Sequence, residues 1–192
     1  VINATGACFA VSSSSNSRIF NNSCYNTGSL IHGSILISNE SELNQTRDTR
    51  NVKVQISNNI IFGSDKRPLL VITRGVDSIP TFSLTELDVH DNLYFIGGGD
   101  PLFYSHDVFD PLGLAAWKAT YQSQTGNIDN SRNLDPKFAD IATASSAALS
   151  LQPISEAINK GAPTPLVTRD IRGALRPQSG AIDIGRHHKR RL

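Results

Sequence analysis

Apolar residues in this chain come in short runs, and the runs recur. Arg18-Ile19-Phe20-Asn21-Asn22, Gln55-Ile56-Ser57-Asn58-Asn59 and Asp88-Val89-His90-Asp91-Asn92 share one pattern: an aliphatic second position, then a close on Asn-Asn or Asp-Asn. The copies lie 37 and 33 residues apart, and a second apolar run follows the later two, Ile60-Ile61-Phe62 and Leu93-Tyr94-Phe95-Ile96. Repeats at such a period mark units that cannot bury their own apolar face and must stack on the next. Two more runs, Ser34-Ile35-Leu36-Ile37-Ser38 and Leu69-Leu70-Val71-Ile72-Thr73, each lead into a polar segment, 39–51 and 74–83. One pass of chain therefore reads strand, long polar loop, strand, Asn turn, strand, short turn. The runs are too short and too rich in Val, Ile and Leu for helices, and no two-residue hairpin turn separates them. Three strands per pass is the plan of a parallel β-helix over residues 1–99, with Ile19, Ile56 and Val89 as one inward column.

The paired asparagines have a physical place in that plan. A sharp turn between strands needs a residue that tolerates the left-handed region, and a buried Asn can bond its amide to the coils on either side. Asn22, Asn59 and Asn92 are expected to form such a ladder. After Gly97-Gly98-Gly99 the pattern breaks, and residues 112–122 are the one predicted helix, with Leu114, Trp117 and Tyr121 on its apolar face. Residues 100–192, helix and Pro- and Gly-rich tail together, are expected to cap the open end of the stack.

Composition narrows the function classes. The formal net charge of the 192 residues is +1, so the electrostatic footprint of a nucleic-acid binder is missing. The one basic cluster, Arg186-His187-His188-Lys189-Arg190-Arg191, reads as a solvated tail. No run has the ~18 apolar residues of a membrane span, and no signal peptide is present. The chain lacks methionine and opens in mid-pattern, which reads as a piece of a longer polypeptide. Cys8 and Cys24 are 16 residues apart, short of one repeat. The favoured reading is two buried free thiols acting as small hydrophobes, with a disulfide as the alternative. Two cysteines without histidine at ligand spacing do not make a metal site.

The tail carries more specific motifs. Leu134-Asp135-Pro136-Lys137-Phe138 is followed by Leu149-Ser150-Leu151-Gln152-Pro153 and by Ala157-Ile158-Asn159-Lys160-Gly161. Then come Asp170-Ile171-Arg172-Gly173-Ala174-Leu175-Arg176-Pro177 and Gly180-Ala181-Ile182-Asp183-Ile184-Gly185. This resembles the C-terminal segment of bacterial secreted proteins with right-handed parallel β-helix repeats, in the pectate-lyase-like superfamily. There D-P-x-F, L-x-x-x-S-P-A-I-D-x-G and D-x-x-G-x-x-R-P-x-x-G-x-x-D-I-G-A-x-E stretches close the helix. The chain departs from that pattern at Ser155-Glu156-Ala157-Ile158-Asn159 and after Gly185. The resemblance implies an all-β, right-handed parallel β-helix with one short helix and an irregular C-terminal cap. It implies a secreted or cell-surface protein that binds or cleaves polysaccharide, as lyase or glycosidase. The alternative is a non-catalytic adhesive or structural solenoid. The partner would be a polysaccharide or a cell-surface glycan, and Ca²⁺ enters only through this analogy; no cofactor is identified.

β-Elimination needs a base and a cation to hold the resulting anion, and hydrolysis needs two carboxyl groups on one face. Aligning the motif copies by alternation puts Arg18, Gln55 and Asp88 in one outward column and Phe20, Ser57 and His90 in the next, with Lys53 beside Glu86. Lys53, Glu86, Asp88 and His90 thus make one candidate patch, against the plain reading of solvated surface charges. The resemblance favours instead the runs at 35–38 and 69–73 and the loops that leave them, where His32, Arg47, Asp48, Arg50, Arg74 and Asp77 are the local candidates. No Asp-rich cation cluster and no matched acid pair stands out. The chain by itself is expected to lack robust turnover, to bind glycan weakly and to self-associate through the edges at residues 1–11.

Overall fold

The computed structural model describes residues 1–28, 33–38, 51–63, 68–73, 83–105, 110–143, 146–177 and 181–185. The candidates His32, Arg47, Asp48, Arg50, Arg74 and Asp77 lie outside the described residues.

The described residues form thirteen short strands and one α-helix, and the runs above supply β3, β5 to β10 and the helix. The strands are β1 (Ile2–Ala4), β2 (Phe9–Ser12), β3 (Arg18–Phe20), β4 (Ser23–Thr27), β5 (Ile35–Ser38), β6 (Val54–Ser57), β7 (Ile60–Phe62) and β8 (Pro68–Thr73). They continue with β9 (Leu87–His90), β10 (Leu93–Phe95), β11 (Leu102–Ser105), β12 (Leu112–Gly113) and, after helix α1 (Leu114–Thr125), β13 (Arg132–Asn133). Strands β1 to β11 are dealt in rotation into three sheets, β12 then pairs back on β11 and β13 on β10, giving the orders β1-β4-β7-β10-β13, β12-β11-β8-β5-β2 and β3-β6-β9. We call these sheets A, B and C. Every pairing within them is parallel except β11 with the two-residue β12. The protein is thus mostly β with parallel sheets and one helix, and parallel pairing continues past the Gly97-Gly98-Gly99 break to β11.

The register matches the alignment of the motif copies. Ile19 pairs with Ile56 and Ile56 with Val89. All three are buried, beside an inward column of sheet B formed by Ile35, Leu70 and Phe103. Short strands can hold such a core because the inner ones, such as β6, lie between two others, so hydrogen bonding and apolar contact pass from strand to strand.

The turn after sheet C is built as its asparagines require. The first residue of each pair takes the left-handed conformation: Asn21 at φ 54°, Asn58 at 57° and Asp91 at 52°. The second residue makes the ladder. Asn59 Oδ1 accepts from the backbone N–H of Asn22 (3.0 Å) and from its Nδ2 (3.1 Å), and Asn92 Oδ1 does the same for Asn59 at 2.9 and 3.0 Å. Asn59 Nδ2 reaches back to the Ile19 carbonyl, and Asn92 Nδ2 to that of Ile56. Ser131 ends the series by accepting the Asn92 N–H on its Oγ at 2.9 Å.

The helix and the tail do different work. Helix α1 lies where sheet C would take a fourth strand. Tyr121 donates its hydroxyl to the Leu87 carbonyl (2.8 Å) and accepts the Val89 N–H (3.2 Å), satisfying the edge of β9. Trp117 stacks on Phe103 at 5.3 Å and closes the apolar interior. Asp100 starts the helix by accepting the Leu114 N–H; a side chain at Gly113 would collide with that carboxylate. Gly126, at φ 74°, ends it. The tail, expected at the open end of the stack, lies mostly along its side. Phe138, Leu149, Leu151, Ala157 and Ile184 pack on Ile60 and Leu93, which point outward from sheet A, next to the aromatic column Tyr25, Phe62 and Phe95. Strands β7 (Ile-Ile-Phe) and β10 (Leu-Tyr-Phe) of sheet A are therefore apolar throughout, because both their faces are covered.

The cysteines correct the favoured reading of two free thiols: Cys8 and Cys24 form a disulfide, with 6.1 Å between their Cα atoms. Vertical stacking was never needed. Cys8 precedes β2 and Cys24 lies in β4, so the bond crosses the interior between sheets B and A.

Candidate functional site

The outer face of sheet C is the one face of the described stack where polar side chains are aligned, linked to one another and set in a trough. Arg18 Nε donates to Gln55 Oε1 at 3.1 Å, and Gln55 Nε2 donates to Asp88 Oδ2 at 3.1 Å. The register Arg18–Gln55–Asp88 makes this possible, because parallel pairing sets the three on adjacent strands, ~4.8 Å apart. These charges are not independent solvated groups, since a rung of neutral amide joins a cation to an anion.

Two hollows open along this column and share Arg18 and Gln55. One, of about 260 Å³, adds Asn16, Lys53, Thr85, Glu86, Asp88 and Asn127. The other, of about 210 Å³, adds Phe20, Ser57 and His90 from the sheet and residues 163–166 from the tail. The structure therefore brings Lys53, Glu86, Asp88 and His90 to one trough, as the column alignment implies. Glu86 Oε2 accepts the backbone N–H of Lys53 at 3.1 Å, where Lys53 sits at φ 54°. His90 bonds through Nδ1 to Asp91 Oδ2 at 2.8 Å, and its Nε2 lies 3.9 Å from Asp88 Oδ1. Ser57 is the exception to the outward column, being only 1% exposed. Alternation does point it outward, but the tail covers it.

That covering wall was not legible in the strand pattern. Asn58, in the turn, donates Nδ2 to the Ala162 carbonyl and to Thr164 Oγ1, each at 2.8 Å, and accepts the Ala162 N–H on Oδ1. Asn21 donates to the Asp183 carbonyl at 3.1 Å. The left-handed turn residues thus hold the tail, while their neighbours hold the ladder. The signal available in advance was the doubling itself: two asparagines where one suffices for the ladder. Asn127, Thr85 and Asn16, on the other side of the trough, had no signal beyond being polar.

The motifs of the tail account for a second, larger recess of about 530 Å³, lined chiefly by Pro163, Pro165, Val167, Ala181 and Ile182. Its one charged lining residue, Arg176, is 7% exposed and donates Nη2 to the Gly185 carbonyl at 2.8 Å. Burial lowers its pKa, opposed by the neighbouring Asp170 and Asp183. Asp170 accepts the N–H groups of Arg172 and Ala174 at 2.9 Å, and Asp183 accepts that of Asn159 at 2.8 Å. The Asp, Arg and Asp of the closing motif are a clasp within the tail, and its charges face each other rather than a ligand.

At the helix end, Asp129 is 4% exposed, accepts from Trp117 Nε1 at 3.3 Å and from the Ser131 N–H at 2.8 Å, and has its pKa raised by burial. Lys118 donates to the Ser131 carbonyl there. No cavity reaches this cluster among those named, so it belongs to the end closure.

Among the described residues no group of three or more His, Cys, Asp or Glu is placed to hold a metal ion, and no helix is long and apolar enough to cross a membrane. Comparison with protein-family models, with curated proteins and with solved structures finds no match.

Proposed function

We propose that this chain belongs to a secreted or cell-surface right-handed parallel β-helix protein of the pectate-lyase-like kind, and that it binds polysaccharide in the trough on sheet C. The rotation of strands through three parallel sheets and the closing motifs of the tail support the fold reading. The function reading rests chiefly on one observation: a continuous row of planar polar groups, Arg18, Gln55 and Asp88, in a trough some strands long. Sugars offer hydroxyls that both donate and accept, and such rows can pair with them. Lys53 and Asn127 flank the row on one side, and Phe20 offers an apolar surface on the other.

Binding without turnover fits the trough better than lyase or glycosidase chemistry. Glu86 and Asp88 are its two carboxylates, and each already accepts a hydrogen bond, from Lys53 N–H and from Gln55. Titrating the purified protein calorimetrically with oligosaccharides of uronic acids and of neutral sugars tests this reading. Binding to one class should weaken about tenfold or more in Gln55→Ala, which breaks the row in its middle and leaves the fold intact. Unchanged affinity in Gln55→Ala and in Asp88→Asn would remove the site from the trough. Release of shortened or unsaturated product by the wild type would replace binding with catalysis.

A further inference from the structure

We propose that Asn3 is an acceptor site for an N-linked glycan. Asn3-Ala4-Thr5 matches the Asn-x-Ser/Thr acceptor pattern without proline at the middle position, and both Asn3 and Thr5 are exposed. The pattern alone is a weak signal. What strengthens it here is the state of the side-chain amide. Asn26 Nδ2 donates to Asn3 Oδ1 at 2.8 Å, a bond that engages the carbonyl oxygen of this exposed residue and makes no use of its Nδ2. Asn3 also sits at φ 52° in β1, the edge strand of sheet A.

The pattern occurs four times in the sequence, at Asn3, Asn21, Asn39 and Asn44; the last two lie outside the described residues, and Asn21 serves as a comparison. Asn21-Asn22-Ser23 has the same pattern, but Asn21 is 5% exposed, its Nδ2 donates to the Asp183 carbonyl, and Ser23 is 2% exposed. A glycan on Asn21 would break the clasp that holds the tail. One site is open and the other locked, so the structure distinguishes two matches that the pattern cannot. The Cys8–Cys24 disulfide is compatible with that route, because disulfides persist in oxidising compartments, among them the one where N-glycans are added.

The donor class is an oligosaccharide on a lipid pyrophosphate. Nδ2 attacks the anomeric carbon, the new C–N bond replaces the C–O bond to the pyrophosphate, the lipid pyrophosphate leaves, and the transferase takes the amide proton. This inference stands apart from the glycan-binding trough, which lies on another sheet.

The test is to express the chain behind a cleavable secretion signal in glycosylating cells and map its peptides after enzymatic glycan release in ¹⁸O water. The mark of release, Asn converted to ¹⁸O-labelled Asp, should appear at Asn3 and not at Asn21. Thr5→Ala should abolish it and Thr5→Ser should keep it; both changes are at an exposed residue. Translation with microsomes and the same mapping gives the reading if secretion is low. Unmodified Asn3 overturns the proposal, as does equal occupancy in Thr5→Ala and wild type. Modified Asn21 in secreted, folded protein would overturn the argument from amide pairing.

Discussion

The strand stack and the tail bury comparable side chains, yet they are held by different kinds of order. In the stack each contact is repeated by the next coil: Ile19, Ile56 and Val89 make one column, and Asn22, Asn59 and Asn92 make one ladder. In the tail nothing repeats. Phe138, Leu149 and Ile184 each fill their own place against sheet A, and single asparagines, 58 and 21, fasten it from the turn. Repetition is expected to make the stack cooperative between neighbouring strands, and the tail is expected to come away without taking a strand with it.

The strongest way to break that contrast is to cut equivalent holes in the two cores. Ile56 and Leu149 are both fully buried. Ile56→Ala is expected to cost about 2–5 kcal/mol, the range for a buried aliphatic residue whose surroundings cannot collapse. Leu149→Ala should fall at the low end of that range, because irregular chain relaxes into the void more easily. Denaturant midpoints read the size of each effect, and hydrogen exchange reads its extent. Ile56→Ala should raise exchange in β3, β6 and β9 together, and Leu149→Ala only in the tail. Equal, global loosening in both variants would make the stack and the tail one unit.

The ladder and the clasp offer a finer division, because adjacent residues serve different regions. Asn59→Ala removes the acceptor of Asn22 and the donor to Ile19, leaving buried backbone groups unpaired at a cost of about 1–3 kcal/mol. Asn58→Gly keeps the left-handed turn and removes only the bonds to Ala162 and Thr164. It should cost less, on the order of 1 kcal/mol, and expose residues 161–165 to protease while β6 stays protected. Ala at the half-exposed Gln55 should cost no more than about 0.5 kcal/mol. Equal midpoint shifts for all three would deny the asparagines their separate roles.

How much of this was readable in advance follows from the same contrast. Periodic contacts leave periodic sequence, so the three strand columns, the ladder and the face of α1 at Leu114, Trp117 and Tyr121 were legible. So was the patch of Lys53, Glu86, Asp88 and His90, since it depends only on register. Contacts made once leave no period. The tail's path beside sheet A, the burial of Ser57 beneath it, Ser131 ending the ladder and the Cys8–Cys24 bond all join residues whose separation carries no signal. The closing motif was visible as a pattern, but its work as an internal clasp of Asp170, Arg176 and Asp183 was not, because charge alone does not say whether it faces a ligand or a partner in the fold.

The smallest expected effect concerns the junction of the two regions, where Asp129 sits beneath α1. Burial raises its pKa in the folded protein above the ordinary Asp range, against the bonds from Ser131 and Trp117 and the charge of Lys118. A group with a raised folded pKa stabilises the fold fully below its unfolded pKa, and that contribution is lost as pH rises through the folded value. The wild type should therefore lose some stability at this site as pH rises above the ordinary Asp range. Asp129→Asn does not titrate, so that part of the slope should vanish. Asn keeps one acceptor oxygen for two donors, Ser131 N–H and Trp117 Nε1, and should be the less stable protein in acid. The gap should narrow as pH rises, because only the wild type bears the cost of a buried charge. Denaturation midpoints of both proteins across that range decide it. Parallel lines would mean that folding leaves the Asp129 pKa where it is in the unfolded chain, and a gap that widens with pH would mean that the Lys118 charge and the hydrogen bonds outweigh burial.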